Sequence, residues 1–445
     1  MEKQNNIIKP KTLPGFVELL PKEQVAFDNM YGKIKRSYEK FGFVPLDTPV
    51  LEYSEVLLAK AGGETEKQIY RFNKGDTDIS MRFDLTVPLA KYVALNYGEL
   101  AFPFKRYQIG KVYRGERAQK GRYREFYQAD IDIIGDETLD LVYDAELPSV
   151  IYTTFTELGF SNFTIRINNR KVLNGLFAEL DLKDKASDIL RVIDKIDKIG
   201  KDAVIEMLKE IGVDEKNIAK IMGFISISGT TNDKLDSLCA LDIANEQFKE
   251  GVHELEVVVD YIRKFKVPES NFTIDLTIAR GLDYYTGTVY ETILNDYPDI
   301  GSVCSGGRYE NLAGYYTNRK LPGVGISIGL SRLYYKLHEA GVIEAKRATS
   351  ADVFVIPMTE KLDYPLEVAN AFRQNGINTE VSFSKKSMKS VLNYANRLGY
   401  PFVAFVGEDE ELFRKVTIKN MYTSKQACIA LEEITARLNS LLDNN

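Results

Sequence analysis

Between Lys105 and Arg124, eight cationic side chains (Lys105, Arg106, Lys111, Arg114, Arg117, Lys120, Arg122 and Arg124) stand against one acid, Glu116. The whole chain carries 58 Lys and Arg against 64 Asp and Glu, a net charge of −6, so this stretch reverses the sign locally. Arginine suits phosphate because its planar fork can bind two oxygens at once. Gly115 and Gly121 would let the same loop approach a polyphosphate closely. A solvated basic hairpin would carry the same charges, so the stretch needs partners. Two segments offer them. ARGLDYYTGTVYE (279–291) puts Arg280 directly after an apolar run and beside Tyr284 and Tyr285, which reads as a pocket lining. GVGISIGLSRL (323–333) places Arg332 at the start of a helix. Its glycines lie inside an apolar strand with no βαβ unit around them, which excludes a dinucleotide loop. No Gly-x-x-x-x-Gly-Lys-Ser/Thr loop is present either, so any ATP chemistry here rests on arginines over a sheet.

Histidine is scarce: His253 and His338 are the only two. The first sits in a helical run and the second near a helix end, so both read as structural. A His-x-x-x-His metal helix is excluded, and the chemistry is not expected to use an imidazole base. Cys239, Cys304 and Cys428 lie far apart without metal-ligand or disulfide spacing, and are expected to be buried small hydrophobes. No apolar run reaches the roughly 20 residues of a membrane span, and the first residues are not of signal-peptide type, so a cytosolic protein is expected.

The elements that position these residues follow from periodicity. A helix of about 18 residues is expected from Lys22, because Phe27, Met30, Tyr31, Ile34 and Tyr38 follow helical spacing. FVPLDTPVLEY (43–53) reads as an extended segment kinked by Pro45 and Pro49. Strands are expected at 79–85, 105–115 and 124–135, the last alternating like a half-buried strand. A helix near 137–158 and a strand at 163–168 follow. Residues 170–265 are rich in Lys, Asp and Glu, with Ile189, Val192, Ile193, Ile196 and Ile199 at helical spacing, which predicts a helical insertion. Strands return at 272–278, 288–294, 301–305 and 323–329. After a linker at 344–351, strands and helices alternate through to a final helix. The expected architecture is α+β: a mainly antiparallel block formed by residues 1–169 and 266–343, the helical insertion 170–265, and a separate α/β domain at 350–445.

In their order, three of these blocks resemble the class II aminoacyl-tRNA synthetase motifs. FVPLDTPVLEY after its long helix looks like motif 1, the 104–135 hairpin like motif 2, and GVGISIGLSRL like motif 3. ARGLDYYTG, SGGRYE (305–310) and MRFDLTVPLAKY (81–92) resemble blocks typical of histidyl-tRNA synthetases, and the C-terminal unit resembles that family's anticodon-binding domain. Nearly the whole chain is covered. The resemblance implies that Asp84, Leu85 and Thr86 meet the amino group of histidine and Gln128 its backbone. Asp132 and Tyr285 would read the imidazole, with Tyr284 lining the same pocket. Arg114 and Arg280 would act on the α-phosphate as the catalytic pair. Arg114, Glu116, Arg122, Phe126 and Arg332 would bind ATP, with Phe126 against adenine. Arg117, Gln119, Lys120 and Arg124 would meet the tRNA acceptor end, and Lys385, Lys386, Lys389 and Arg397 lie where the anticodon is read. A solvated helix face would explain those last four equally well. Ser331 departs from the pattern, standing where motif 3 often has glutamate.

The implied reaction is attack by the histidine carboxylate on the α-phosphorus of ATP, followed by transfer to tRNA(His). A carboxylate is already ionised at neutral pH, so no general base is needed, which agrees with the dearth of histidine. The site's work is to align two anions and to stabilise charge at phosphorus. Mg²⁺ is expected to arrive with ATP, needing few protein ligands and no dedicated metal site. A polar pair around the imidazole would reject apolar side chains by factors of roughly 10⁴. A homodimer through motif 1 is expected, with no membrane partner. One alternative is a non-catalytic regulatory subunit of ATP phosphoribosyltransferase, which shares the catalytic fold. A tRNA sensor of the kind found in regulatory kinases is another. Arg114, Gln128, Arg280, Arg332 and a full C-terminal domain favour the ligase.

Overall fold

Residues 127–133 alternate apolar and polar side chains within the segment 125–134, which pairs with 104–113 as antiparallel strands over ten positions. The computed structural model describes residues 8–59, 64–117, 121–193, 195–278 and 285–434. They form two compact units, one of residues 1–17 and 30–337 and the other of residues 18–29 and 338–445.

The chain opens with α1 (Pro21–Lys40), β1 (Val44–Pro45), β2 (Leu51–Tyr53), α2 (Ser54–Leu58), α3 (Glu64–Gln68), β3 (Arg71–Lys74), β4 (Thr77–Met81) and α4 (Thr86–Leu95). The hairpin follows as β5 (Phe104–Tyr113) and β6 (Glu125–Ile134), then α5 (Val142–Glu157) and β7 (Phe163–Asn169). A helical run comprises α6 (Arg170–Glu179), α7 (Ala186–Ile193), α8 (Ile196–Glu210), α9 (Glu215–Ile225), α10 (Thr231–Cys239) and α11 (Glu246–Lys264). After it come β8 (Phe272–Ile274), β9 (Thr288–Leu294), β10 (Ser302–Tyr309), β11 (Gly323–Ile328) and α12 (Leu330–Glu339).

Eight strands join in the order β1-β5-β6-β11-β10-β9-β7-β8. Only β1/β5 and β7/β8 pair in parallel; the rest is antiparallel. On one face of β6, Ala129, Ile131 and Ile133 are fully buried. Residues 30–40 of α1 and helix α5 cover that face: the Tyr38 hydroxyl donates to Ala129 O, and Lys105 pairs with Glu146 of α5 at 2.7 Å. The opposite face carries the candidate site.

The second unit holds β12 (Val353–Pro357), α13 (Asp363–Gln374), β13 (Thr379–Val381), α14 (Met388–Leu398), β14 (Phe402–Val406), α15 (Glu408–Leu412), β15 (Lys415–Asn420) and β16 (Gln426–Ala430). Its sheet runs β13-β12-β14-β15-β16, parallel on one side of β14 and antiparallel on the other.

Several expectations need correction. The strand expected over 79–85 stops at Met81, because Asp84 Oδ1 accepts the Thr86 and Val87 N–H groups and starts α4 instead. The strand expected over 272–278 stops at Ile274, where Asp275 Oδ1 accepts from Thr277 N and Oγ1 in a turn. The strand expected at 301–305 runs on through SGGRYE to Tyr309. Residues 426–430 form an edge strand ahead of the expected final helix, most of which lies outside the described residues. Of the cysteines only Cys304 is buried; Cys239 ends a surface helix and Cys428 points outward from the edge strand β16. Among the described residues no helix is long and apolar enough to cross a membrane.

Candidate active site

The β5–β6 register sets Arg106 opposite Asp132, Gln108 opposite Asp130, and Gly110 opposite Gln128. Because side chains alternate along a strand, Phe126, Gln128, Asp130 and Asp132 share one face, a row of roughly 20 Å from end to end. All four line a single cavity of about 540 Å³. On the next strand, β11, Gly325 faces Asp132 and Ser327 faces Asp130.

One end of this row is acidic and dry. Asp132 is 3% exposed, and its Oδ2 lies 2.6 Å from the Arg106 guanidinium, which is itself fully buried. Asp132 Oδ1 accepts from the Tyr309 hydroxyl at 2.9 Å. Such an approach needs glycine on the neighbouring strand: a methyl group at Gly325 would lie 2.1 Å from Asp132 Oδ1. Burial pushes the Asp132 carboxyl up to about 6, although Arg106 and Tyr309 pull the other way. Asp130 is pushed up to about 7 by burial, against the pull of Arg106 and Ser327 and with Asp132 and Asp84 adding to it. Asp84 is also raised by burial, opposed by the Val87 N–H, Arg114 and the Thr86 N–H. Three buried carboxylates around one buried guanidinium leave this end short of positive charge. Arg106 Nη2 also donates to Leu85 O at 3.2 Å, so Leu85 contributes a carbonyl and Thr86 the first turn of α4. The Tyr285 ring closes the wall against Gly307, where a methyl group would stand 2.9 Å from it.

Toward the other end the cations gather. The Arg114 guanidinium lies 4.3 Å from the Phe83 ring centroid and 5.1 Å from that of Phe126, and its Nε donates to Phe83 O. Arg332, on the first turn of α12, donates to Ile300 O at 2.8 Å. Burial and then the nearby Arg122 hold its pKa below the ordinary arginine value. Arg332 and Arg122 both line the cavity and bring two guanidiniums to this end of it. Ser331, at the departure from motif 3, accepts the Tyr127 N–H at 2.9 Å and so ties α12 to the hairpin.

Residues 15–333 match the family model for histidyl-tRNA synthetase, and residues 352–441 match that for the anticodon binding domain. The chain belongs to the histidyl-tRNA synthetase family. A histidine–tRNA ligase of Clostridium tetani is 58% identical over 431 residues, 97% of this chain and 98% of that protein. The crystal structure of histidyl-tRNA synthetase from Nostoc sp. PCC 7120 is 40% identical, with a TM-score of 0.91 over 97% of this chain and 100% of that one. An ATP phosphoribosyltransferase regulatory subunit/histidyl-tRNA synthetase from Bacillus halodurans is similar at 21% identity and a TM-score of 0.73, covering 90% of this chain and 99% of that one; this likeness is one of fold alone.

Within this family member, Asp84, Thr86, Arg114, Glu116, Arg122, Phe126, Gln128, Asp132, Tyr285 and Arg332 all meet at the one cavity. Arg117 stays exposed on the hairpin loop. Arg124 braces that loop by donating to Glu116 O and Pro14 O. Arg280, Tyr284, Gln119 and Lys120 lie outside the described residues. Lys385, Lys386, Lys389 and Arg397 are exposed on or just before α14. The basic stretch is less uniform than its composition implies, since Arg106 is neutralised by Asp132, Lys105 by Glu146 and Lys111 by Glu125. Arg106, Tyr309, Asp130 and Ser327 were not singled out from sequence. Period-two spacing between Gln128 and Asp132 would have found Asp130, and Tyr309 and Ser327 lie inside quoted motifs. Nothing local distinguishes Arg106 from its cationic neighbours.

Proposed function

We propose that the chain is a histidine–tRNA ligase, which activates histidine with ATP and transfers it to the 3′ end of tRNA(His). The observation that carries this reading is the two-ended cavity: a cluster of buried carboxylates suited to a cationic amino acid, continuous with arginines suited to a polyphosphate. Asp132 accepts the imidazole N–H, and Tyr285 and Tyr284 complete that pocket. Asp84, Leu85, Thr86 and Gln128 receive the amino group and backbone. Arg114 and Arg280 grip the α-phosphate and stabilise the charge that develops there. Phe126 stacks on adenine, while Glu116, Arg122 and Arg332 hold the rest of ATP. Glu116 and Glu291, the two glutamates lining the cavity, would be the carboxylates to meet a Mg²⁺ bound with the nucleotide, and that ion would offset phosphate charge.

Arg117, Gln119, Lys120 and Arg124 meet the acceptor end of the tRNA. Residues 1–169 with 266–343 form the catalytic domain, 170–265 the insertion, and 350–445 the anticodon-binding domain with Lys385, Lys386, Lys389 and Arg397. Val44, Leu51 and Tyr53 are 48%, 46% and 62% exposed along the motif 1 segment, which supports an isologous homodimer. The protein acts in the cytoplasm, where tRNA is charged. The full-length likeness to a ligase and the anticodon-domain match support this reading over a regulatory subunit. The test is histidine-dependent ATP–pyrophosphate exchange by purified protein, followed by charging of tRNA(His). Exchange with histidine and no other standard amino acid is expected. A protein that binds histidine yet gives no exchange would overturn the ligase reading.

A further inference from the structure

Leu13, Pro14, Gly15 and Phe16 close a turn in which the Phe16 N–H donates to Leu13 O at 3.1 Å. Proline at its second position and glycine at its third, with a φ of 86° at Gly15, mark a type II turn. Residues 8–14 are exposed, and the chain becomes half-buried at Gly15 and Phe16.

What it meets there is the base of the β5–β6 hairpin. Gly15 O accepts the N–H groups of Arg124 and Glu125, at 2.8 and 3.3 Å. The other arm is held in the same way, with the Gly115 N–H donating to Gln68 O at 2.7 Å. Arg114 N donates to Arg124 O at 2.9 Å, so the two anchors grip neighbouring residues of one paired base. The Arg124 side chain draws these segments together. Its Nε donates across the hairpin to Glu116 O at 3.0 Å, and its Nη1 donates to Pro14 O in the turn at 3.5 Å. Its stem lies along Gly15, where a methyl group would stand 2.8 Å from Cγ and 3.1 Å from Cβ and Cδ. Glycine alone suits both the positive φ and this close approach. Arg114, Glu116, Arg122 and Phe126, at or beside this base, all line the cavity.

We propose that the Leu13–Phe16 turn and Arg124 clamp the base of the hairpin, so that the ATP-binding side chains are in place before ATP or tRNA arrives. Gly15 and Arg124 are positioning residues for activation. The proposal rests on the reading of this end of the cavity as the ATP site. An unclamped base holds the binding-competent arrangement only part of the time, and ATP must then supply the missing order. The apparent dissociation constant rises as the competent fraction falls, while saturating ATP restores the rate. The tRNA contact assigned to Arg124 has a different signature, because pyrophosphate exchange needs no tRNA.

The experiment is ATP–pyrophosphate exchange without tRNA, varied in ATP at saturating histidine, beside charging of tRNA(His). Arg124→Met keeps an unbranched stem against Gly15 and removes both donors. It should raise the ATP KM roughly 10-fold, the lower end of what a hydrogen bond to a charged group is worth, with kcat within about twofold. Arg124→Lys keeps one charged donor and should recover part of the loss. Gly15→Ala strains the turn, pushes Arg124 aside, and should act in the same direction. Unaltered exchange in Arg124→Met with poorer charging would reduce Arg124 to a tRNA contact and overturn the clamp. A lower kcat at unchanged ATP KM marks a loss of folded protein and overturns it too. A raised ATP KM in Arg124→Met but not in Gly15→Ala takes the turn out of the clamp. Wild-type protein that gives no exchange removes the ATP reading itself, and the clamp with it.

Discussion

Removing one oxygen atom, by Tyr309→Phe, isolates the electrostatics of the imidazole pocket from its shape. The Tyr309 hydroxyl donates to Asp132 Oδ1 at 2.9 Å with both groups buried, while its ring packs where a methyl at Gly323 would stand 2.4 Å away. The phenylalanine keeps that packing and loses only the hydrogen bond. Such a bond to a charged acceptor is worth about 1.5–3 kcal/mol. At about 1.36 kcal/mol per pKa unit, the carboxyl should rise roughly one to two units above its wild-type value of about 6. At pH 7 the ionised fraction would then fall from about nine-tenths to between roughly a tenth and a half. If the ionised form binds histidine, kcat/KM for histidine should drop about 2–10-fold at pH 7 and recover by pH 9, an alkaline displacement of its acidic limb. The assay is pyrophosphate exchange from pH 6 to 9, in which the titration of histidine itself is common to both proteins. ATP dependence should not move. Stability without ligands gives a second readout. A carboxyl raised above its ordinary 3.8 favours the folded state at low pH and loses that contribution as pH climbs through the folded value. The part of the melting temperature due to Asp132 should therefore fall between pH 4 and 6 in wild type and keep falling to between about pH 7 and 8 in the variant, on top of the fall up to about pH 7 that Asp130 gives both proteins. Superimposable pH profiles, or equal losses for ATP and histidine, would refute the role assigned to the Tyr309–Asp132 bond.

Gly325→Ala should place a methyl 2.1 Å from Asp132 Oδ1 and force the carboxylate aside, at a cost of about 1–3 kcal/mol. Histidine KM should rise at least about tenfold with ATP KM within a few-fold, and an unaltered histidine KM would mean that Asp132 is not held by this contact. Arg308, 4% exposed, engages Asp144 at 2.6 Å, so Arg308→Met should strand a buried carboxylate and destabilise the protein by about 3–5 kcal/mol. Chemical denaturation should show the loss, with much of it regained in Arg308→Met/Asp144→Leu; an unchanged midpoint in the single variant would deny the pair its structural part. A chain ended within 344–351 should still exchange pyrophosphate but charge tRNA poorly, because anticodon contacts supply binding energy remote from the reacting atoms. Equal charging by the shortened chain would assign the C-terminal unit another task.

Much of this molecule was legible in local pattern. The alternation in 124–135 marks β6, the helical spacing from Phe27 to Tyr38 marks α1, and the isoleucines near 190 mark helices, because each period is set by backbone geometry alone. Close backbone approach at the glycines of 323–329 was legible for the same reason, and Gly325 shows why: Asp132 occupies the space a side chain would fill. Strand ends were less legible. Asp84 and Asp275 turn the backbone by capping it with their own carboxylates, and a hydrogen bond of that kind leaves no periodic trace.

Charge and its availability belonged to the tertiary structure. By composition, Lys105, Arg106 and Arg114 are three similar cations. In the fold the first is neutralised by a glutamate 41 residues away, the second is sealed against Asp132, and the third sits between two phenylalanine rings in the cavity. Tyr309 reaches Asp132 across 177 residues, and Gln128 reaches Ser327 across 199. The sequence alone determined which strands and helices form and which motifs they carry, since those depend on neighbours along the chain. Which carboxylates stay dry, which arginines face the cavity, and how a buried amide is turned depend on solvent exclusion and on partners from remote strands. Only the folded sheet brings these together.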